Sequence, residues 1–120
     1  MQPLIQFFSY SRCSSCRKAK LWLDENQIIY QLIDIIKSPP SKELIAKAII
    51  QYGDKKFLAN TSGISYRELG PKTYSEMDNR KAIECLFADP KLLKRPFLFN
   101  TNNRIIVGFN SAKWKDFFFN

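Results

Sequence analysis

Leu4-Ile5-Gln6-Phe7-Phe8-Ser9-Tyr10-Ser11-Arg12-Cys13-Ser14-Ser15-Cys16-Arg17-Lys18-Ala19 is the stretch on which the reading of the chain turns. Leu4 to Phe8 is a short apolar run of the kind that forms a buried strand. Arg17 to Asn26 follows with Ala19, Trp22 and Leu23 at helical spacing. Two thiols separated by two residues therefore lie at a strand-to-helix turn. A sulfur at a helix N-terminus meets unpaired backbone N–H groups and the positive end of the helix dipole. Its pKa falls and a thiolate becomes available near neutral pH. Arg12, Arg17 and Lys18 are expected to push the same way, and Cys16, one turn beyond Cys13, falls within disulfide reach. A C-x-x-C is also half of a zinc site, but the other half needs further ligands. The chain has no His and only one further Cys, Cys85, so redox use is the expectation and no metal is assigned.

Working outward, Ile28 to Asp34 reads as a second strand. Strand, helix and strand within so short a span predict a right-handed crossover between parallel strands, with the thiols at the carboxyl end of the first. That edge is where open α/β sheets place ligand chemistry. Lys37-Ser38-Pro39-Pro40 stops the second strand, and Ser41 is a natural N-cap for a helix with Leu44, Ile45, Ala48 and Ile49 on one face. Tyr52-Gly53-Asp54 ends it. Asn60-Thr61-Ser62-Gly63 reads as a polar turn before a short helix over Ser65 to Leu69, closed by Gly70-Pro71. Ser75 with Asp78 resembles a capping box for a helix running through Ile83, Leu86 and Phe87, on which Cys85 is expected to be a buried small hydrophobe. Pro96 to Phe99 and Arg104 to Phe109, around Asn100-Thr101-Asn102-Asn103, predict an antiparallel hairpin. Ser111 is expected to cap a last helix carrying Trp114, Phe117 and Phe118.

With 120 residues, 45% of them hydrophobic and 25% charged, the chain is expected to be one folded α/β domain and not a disordered or fibrous one. From the absence of a basic, apolar leader and of any long apolar stretch, together with an odd number of cysteines, a cytoplasmic location off the membrane is expected. A net charge of +8 favours acidic partners. The basic residues are nonetheless spread along the chain with no recognisable nucleic-acid-binding signature, so a solvated basic surface is expected and no direct contact with nucleic acid. The four glycines form neither a phosphate-binding loop nor a dinucleotide fingerprint, and no organic cofactor is implied.

The C-x-x-C after the first strand, the stretch Asn60-Thr61-Ser62-Gly63-x-x-Tyr66-Arg67-Glu68-Leu69, Leu93-Lys94-Arg95-Pro96 before the hairpin and the Val107-Gly108-Phe109 ending resemble the arsenate reductase (ArsC)/Spx family. They do so in the family's order and over nearly the whole chain. The resemblance implies a thioredoxin-like fold: a four-stranded mixed sheet flanked by helices, with a helical segment inserted at about Ser38 to Lys91 of a single domain spanning residues 1–120. It also implies that Cys13 is the nucleophile, that Arg95 supplies positive charge beside it, and that Pro96 follows a cis peptide bond. Arg12, Asn60, Thr61, Ser62 and Pro96 are then the candidates for substrate contact, although Asn60 to Ser62 serve equally well as turn formers.

Several residues depart from the arsenate-reducing pattern. Ser62 and Val107 stand where those enzymes carry further pocket arginines, and Arg104 is offset from position 107 by an odd number of strand residues, onto the opposite sheet face. The second thiol, Cys16, points to chemistry completed within the chain: a thiol–disulfide oxidoreductase in which Cys13 attacks and Cys16 or glutathione resolves. Glutathione, glutaredoxin or a thiol protein would be the partner. The other branch of the resemblance is the Spx-type redox-responsive regulator that binds the C-terminal domain of the RNA polymerase α subunit. The Asn-Thr-Ser-Gly stretch is nearer to the arsenate-reductase-like members, since Spx regulators carry an arginine there.

Overall fold

A computed structural model describes Leu4 to Asn120. The first strand, β1 (Ile5–Ser9), turns through Tyr10 to Cys13 into helix α1 (Ser14–Glu25), and β2 (Gln31–Asp34) returns parallel to β1, with Phe7 opposite Leu32. β3 (Phe97–Asn100) pairs antiparallel with the other edge of β1, Phe8 opposite Phe97 and Ile5 opposite Asn100. β4 (Arg104–Val107) completes the sheet in the order β2-β1-β3-β4. The last helix of the chain covers Ser111–Phe119. This is the mixed four-stranded, thioredoxin-like arrangement expected. Among the described residues no helix is long and apolar enough to cross a membrane.

The chain divides into two compact units: residues up to Ile35 with Arg95–Asn120, and Ile36–Lys94. In the first, Phe7, Leu23, Leu98 and Trp114 are fully buried, with Ile5, Ala19, Ile106 and Phe117 around them. Phe7 meets Tyr30 and Trp114 edge to face at 5.4 and 6.3 Å between centroids, and the Trp114 indole N–H donates to the Gly108 carbonyl at 2.9 Å. The only polar atom of this large ring is thereby satisfied inside the core.

In the second unit, helix α2 (Lys42–Tyr52) is capped by Ser41, whose Oγ accepts from the Leu44 N–H. It ends at Gly53, where φ of +86° suits glycine. After a 3-10 turn (Lys55–Leu58) come α3 (Ile64–Leu69), α4 (Pro71–Glu76) and α5 (Asn79–Ala88), which makes Ser111–Phe119 α6. Ile45, Leu58, Leu86 and Leu93 are fully buried here.

Several boundaries differ from the sequence expectation, each for a local reason. α1 begins at Ser14, not Arg17, because the Cys13 sulfur acts as the cap. β2 begins at Gln31, not Ile28. Gln27 takes φ +57° and donates to the Asp24 carbonyl while the Ile28 N–H donates to Leu23, so Ile28 is consumed in closing the helix. Ser75 caps nothing: it lies within α4, and Asp78 caps α5 by accepting from the Lys81 N–H. Gly70-Pro71 closes α3 and also opens α4, with Pro71 in the first-turn position that needs no N–H. Asn110, not Ser111, caps α6, and Cys85 is half-buried instead of buried. The hairpin loop is the three residues Thr101 to Asn103, Asn103 holding the left-handed conformation at φ +69°.

Replacing the fully buried Phe7 by alanine is expected to lower unfolding stability by about 3–5 kcal/mol. Ile29, 75% exposed on the same unit, is expected to tolerate alanine within about 0.5 kcal/mol. Urea denaturation of both variants checks the contrast.

Candidate functional site

Ser9 ends β1, and the next four residues make a tight turn in which the Cys13 N–H donates to the Tyr10 carbonyl at 3.0 Å. Arg17 Nη1 reaches back to the Ser11 carbonyl at 2.8 Å and ties the turn to the first turn of α1. Cys13 has extended backbone angles, and its Sγ accepts the Cys16 N–H at 3.3 Å. The sulfur thus occupies the place usually taken by a serine, threonine or aspartate oxygen, at the positive end of the helix. Cys16 is buried on the inward face of α1, Cys13 is half-buried, and both are free thiols.

Arg95 arrives from the segment that enters β3, the strand paired with β1. The Arg95–Pro96 peptide bond is cis, and Pro96 leads directly into β3. The guanidinium hydrogen-bonds to the Cys13 sulfur and adds its charge there, with its Cζ 5.4 Å from the centroid of the Tyr10 ring.

These neighbours drive the two thiols in opposite directions. At Cys13 the largest single influence is burial, which acts upward. The hydrogen bonds from the Cys16 thiol and backbone, with the charge and hydrogen bond of Arg95, outweigh it and hold the thiol below the ordinary cysteine value. Cys16 is pushed up to about 12, first by burial and then by its hydrogen bond to Cys13 and the repulsion of that sulfur's charge. The Tyr10 backbone and the Ser9 hydroxyl oppose this only in part. One sulfur held below the ordinary cysteine value, in contact with another held above it, is the arrangement a dithiol nucleophile needs.

Arg12 and Lys18 are exposed, and Arg17 is engaged with Ser11, so the positive charge acting on Cys13 comes from Arg95 and not from the basic residues around the thiols. Asn60, Thr61 and Ser62 belong to the unit Ile36–Lys94, where they form the turn ahead of α3. Asn60 donates to the Leu92 carbonyl and accepts from the Gly63 N–H, and its side chain lies 2.7 Å from where a Cβ on Gly63 would stand. Thr61 lines a cavity of about 200 Å³ with Tyr66 and Tyr74. Arg104 is occupied elsewhere, donating to the Phe117 carbonyl at 3.1 Å and stacking on its ring, and Val107 pairs with Phe97. Tyr10 is the participant the sequence concealed. Its only signal there was an aromatic side chain in an otherwise small, polar turn. A groove of about 510 Å³ opens beside Cys16 between α1 and β2, lined by Tyr10, Leu32 and Ile33 together with the charged Arg17, Lys20 and Asp34.

The chain belongs to the ArsC family, whose model matches residues 8–117. It is 37% identical over 114 residues to the uncharacterized protein YusI of Bacillus subtilis strain 168, covering 93% of this chain and 96% of that one. It is 31% identical to the regulatory protein MgsR of the same strain, covering 94% and 89%. The crystal structure of "a possible arsenate reductase" from Streptococcus mutans UA159 superposes with a TM-score of 0.87 at 36% identity, over 98% of this chain and all of that one.

Alkylation by iodoacetamide, followed residue by residue, should reach half its maximal rate at Cys13 below the ordinary cysteine pKa and leave Cys16 unmodified until strongly alkaline pH. A lowered pKa means that the reactive anion persists as pH falls. Arg95→Met removes the cation and should therefore move the Cys13 midpoint upward.

Proposed function

We propose that this protein is a thiol–disulfide oxidoreductase of the arsenate-reductase-like branch, working in a reducing compartment. The observation that carries the proposal is the Cys13 sulfur capping α1 with Arg95 beside it, while Cys16 waits protonated in contact with it. The Cys13 thiolate attacks one sulfur of a substrate disulfide. The substrate S–S bond breaks, the departing thiolate takes a proton from solvent, and Cys13 is left in a mixed disulfide. That step removes the negative charge and hydrogen-bond acceptor that help keep Cys16 protonated, so its pKa falls when its thiolate is required. Cys16 then attacks Cys13, releasing the second substrate thiol and leaving a Cys13–Cys16 disulfide. Two electrons from glutathione or a glutaredoxin-type dithiol restore both thiols. Alternatively, glutathione resolves the mixed disulfide directly.

Arsenate is a poor fit as physiological substrate. A dianionic oxyanion needs several fixed cationic donors, and Ser62 and Val107 supply none where the family's arsenate-reducing members carry arginines.

A second reading is favoured by the similarity to MgsR, described as a regulatory protein. In it the same cysteine pair is a redox switch, and the partner is the C-terminal domain of the RNA polymerase α subunit. Retention of that domain by the immobilised chain, lost or gained on oxidation and insensitive to oxidation in Cys16→Ser, would select this reading if turnover is absent.

For the oxidoreductase, turnover of a glutathione mixed disulfide should vanish in Cys13→Ser. Cys16→Ser should still perform the first attack and accumulate a mixed disulfide visible by mass spectrometry, and arsenate should give no turnover. An unchanged rate in Cys13→Ser rules the assignment out.

A further inference from the structure

We propose that Tyr10 is a positioning residue for the Cys13 chemistry: its ring holds the Arg95 guanidinium against the Cys13 sulfur. This rests on the reading of Cys13 as the nucleophile. The β1–β3 register runs Ile5 opposite Asn100 and Phe8 opposite Phe97; continued two positions beyond Phe8, it sets Tyr10 across from Arg95. Proximity at this pair of positions is thus imposed by the sheet, whatever side chain stands at position 10. What the aromatic ring adds is a flat, electron-rich surface. The Arg95 Cζ is 5.4 Å from its centroid, within the range of a cation–π contact, and a guanidinium, planar and weakly hydrated, stacks well there.

The backbone that carries the ring is also anchored. The Tyr10 carbonyl accepts the Cys13 N–H at 3.0 Å, and the Tyr10 backbone hydrogen-bonds to the Cys16 sulfur. The platform under Arg95 is therefore built from the same turn that holds both thiols. Arginine carries a long stem with many rotamers, and a charge that wandered would act on Cys13 for only part of the time. Confined between the ring and the sulfur, it acts continuously. The phenolic hydroxyl plays no part in this account, which separates it from any role for Tyr10 as a proton donor.

The test measures the pH profile of Cys13 alkylation in the full chain, with circular dichroism confirming that each variant is folded. Tyr10→Leu and Tyr10→Met should raise the Cys13 midpoint by at least about 0.3, a twofold loss of thiolate at pH well below the midpoint. The rate at high pH, where every Cys13 is ionised, should not fall. Tyr10→Phe should match the wild type. In an Arg95→Met background, Tyr10→Leu should have no further effect. The inference is overturned if both non-aromatic variants keep the wild-type midpoint, if Tyr10→Phe behaves like Tyr10→Leu, or if the shift persists without Arg95. A wild-type midpoint in the ordinary cysteine range overturns it together with the oxidoreductase assignment. A depressed wild-type midpoint that Tyr10 variants leave in place overturns this inference alone.

Discussion

The hydrogen bond from the Cys16 backbone N–H to the Cys13 sulfur, 3.3 Å long, determines where α1 starts and what both cysteines become. Because the sulfur closes the first helical turn, Cys13 is kept at the mouth of the helix and only partly buried. Cys16, three residues on, is carried into the core beside Ala19 and Leu23. Burial raises the pKa of an isolated thiol, and it does so at both positions. The difference in outcome arises because only Cys13 receives a backbone donor from the helix and a guanidinium. Only Cys16 is held protonated by a hydrogen bond to the other sulfur.

The second ingredient, Arg95, lies far along the chain from the thiols and reaches them through the sheet. β3 runs antiparallel to β1, so residues just before β3 meet residues just after β1. The turn that leaves β1 and the cis peptide that enters β3 are consequently neighbours. Tyr10, Cys13 and Arg95 converge at one end of β1 while the intervening Ile36–Lys94 unit forms its own core. The family is therefore visible as short motifs at the ends of strands with a separately packed helical segment between them.

Residue chemistry with a local readout was legible. The strand before Cys13, the Ser41 cap, the glycine at the end of α2 and the hairpin all follow from side-chain pattern within a few positions. Misplaced boundaries arose where one residue type served in another's role. A cysteine capped a helix, a glutamine took the left-handed position that glycine usually fills, and a proline that ordinarily ends a helix began one. Propensity could not foretell that Asp78 caps in place of Ser75, or Asn110 in place of Ser111, because serine, aspartate and asparagine are all good caps. Cys85 was misjudged because its neighbour Leu86 turns inward, whereas the helix leaves position 85 on the flank of the buried stripe.

By itself the sequence determined that two thiols share a strand-to-helix turn, that the surrounding motifs are those of the ArsC family and that no histidine is present to share the chemistry. These are matters of residue identity and short spacing, which need no partner from elsewhere in the chain. Only the tertiary structure decided that Arg95, which the family resemblance implied, and not the basic residues beside the thiols, is the cation at Cys13. Four basic residues compete for that role in the sequence, yet charge acts through distance and orientation. The antiparallel register brings in Arg95, distant in sequence, over the Tyr10 ring, while Arg12 and Lys18 beside the thiols stand in solvent and Arg17 is spent on a carbonyl.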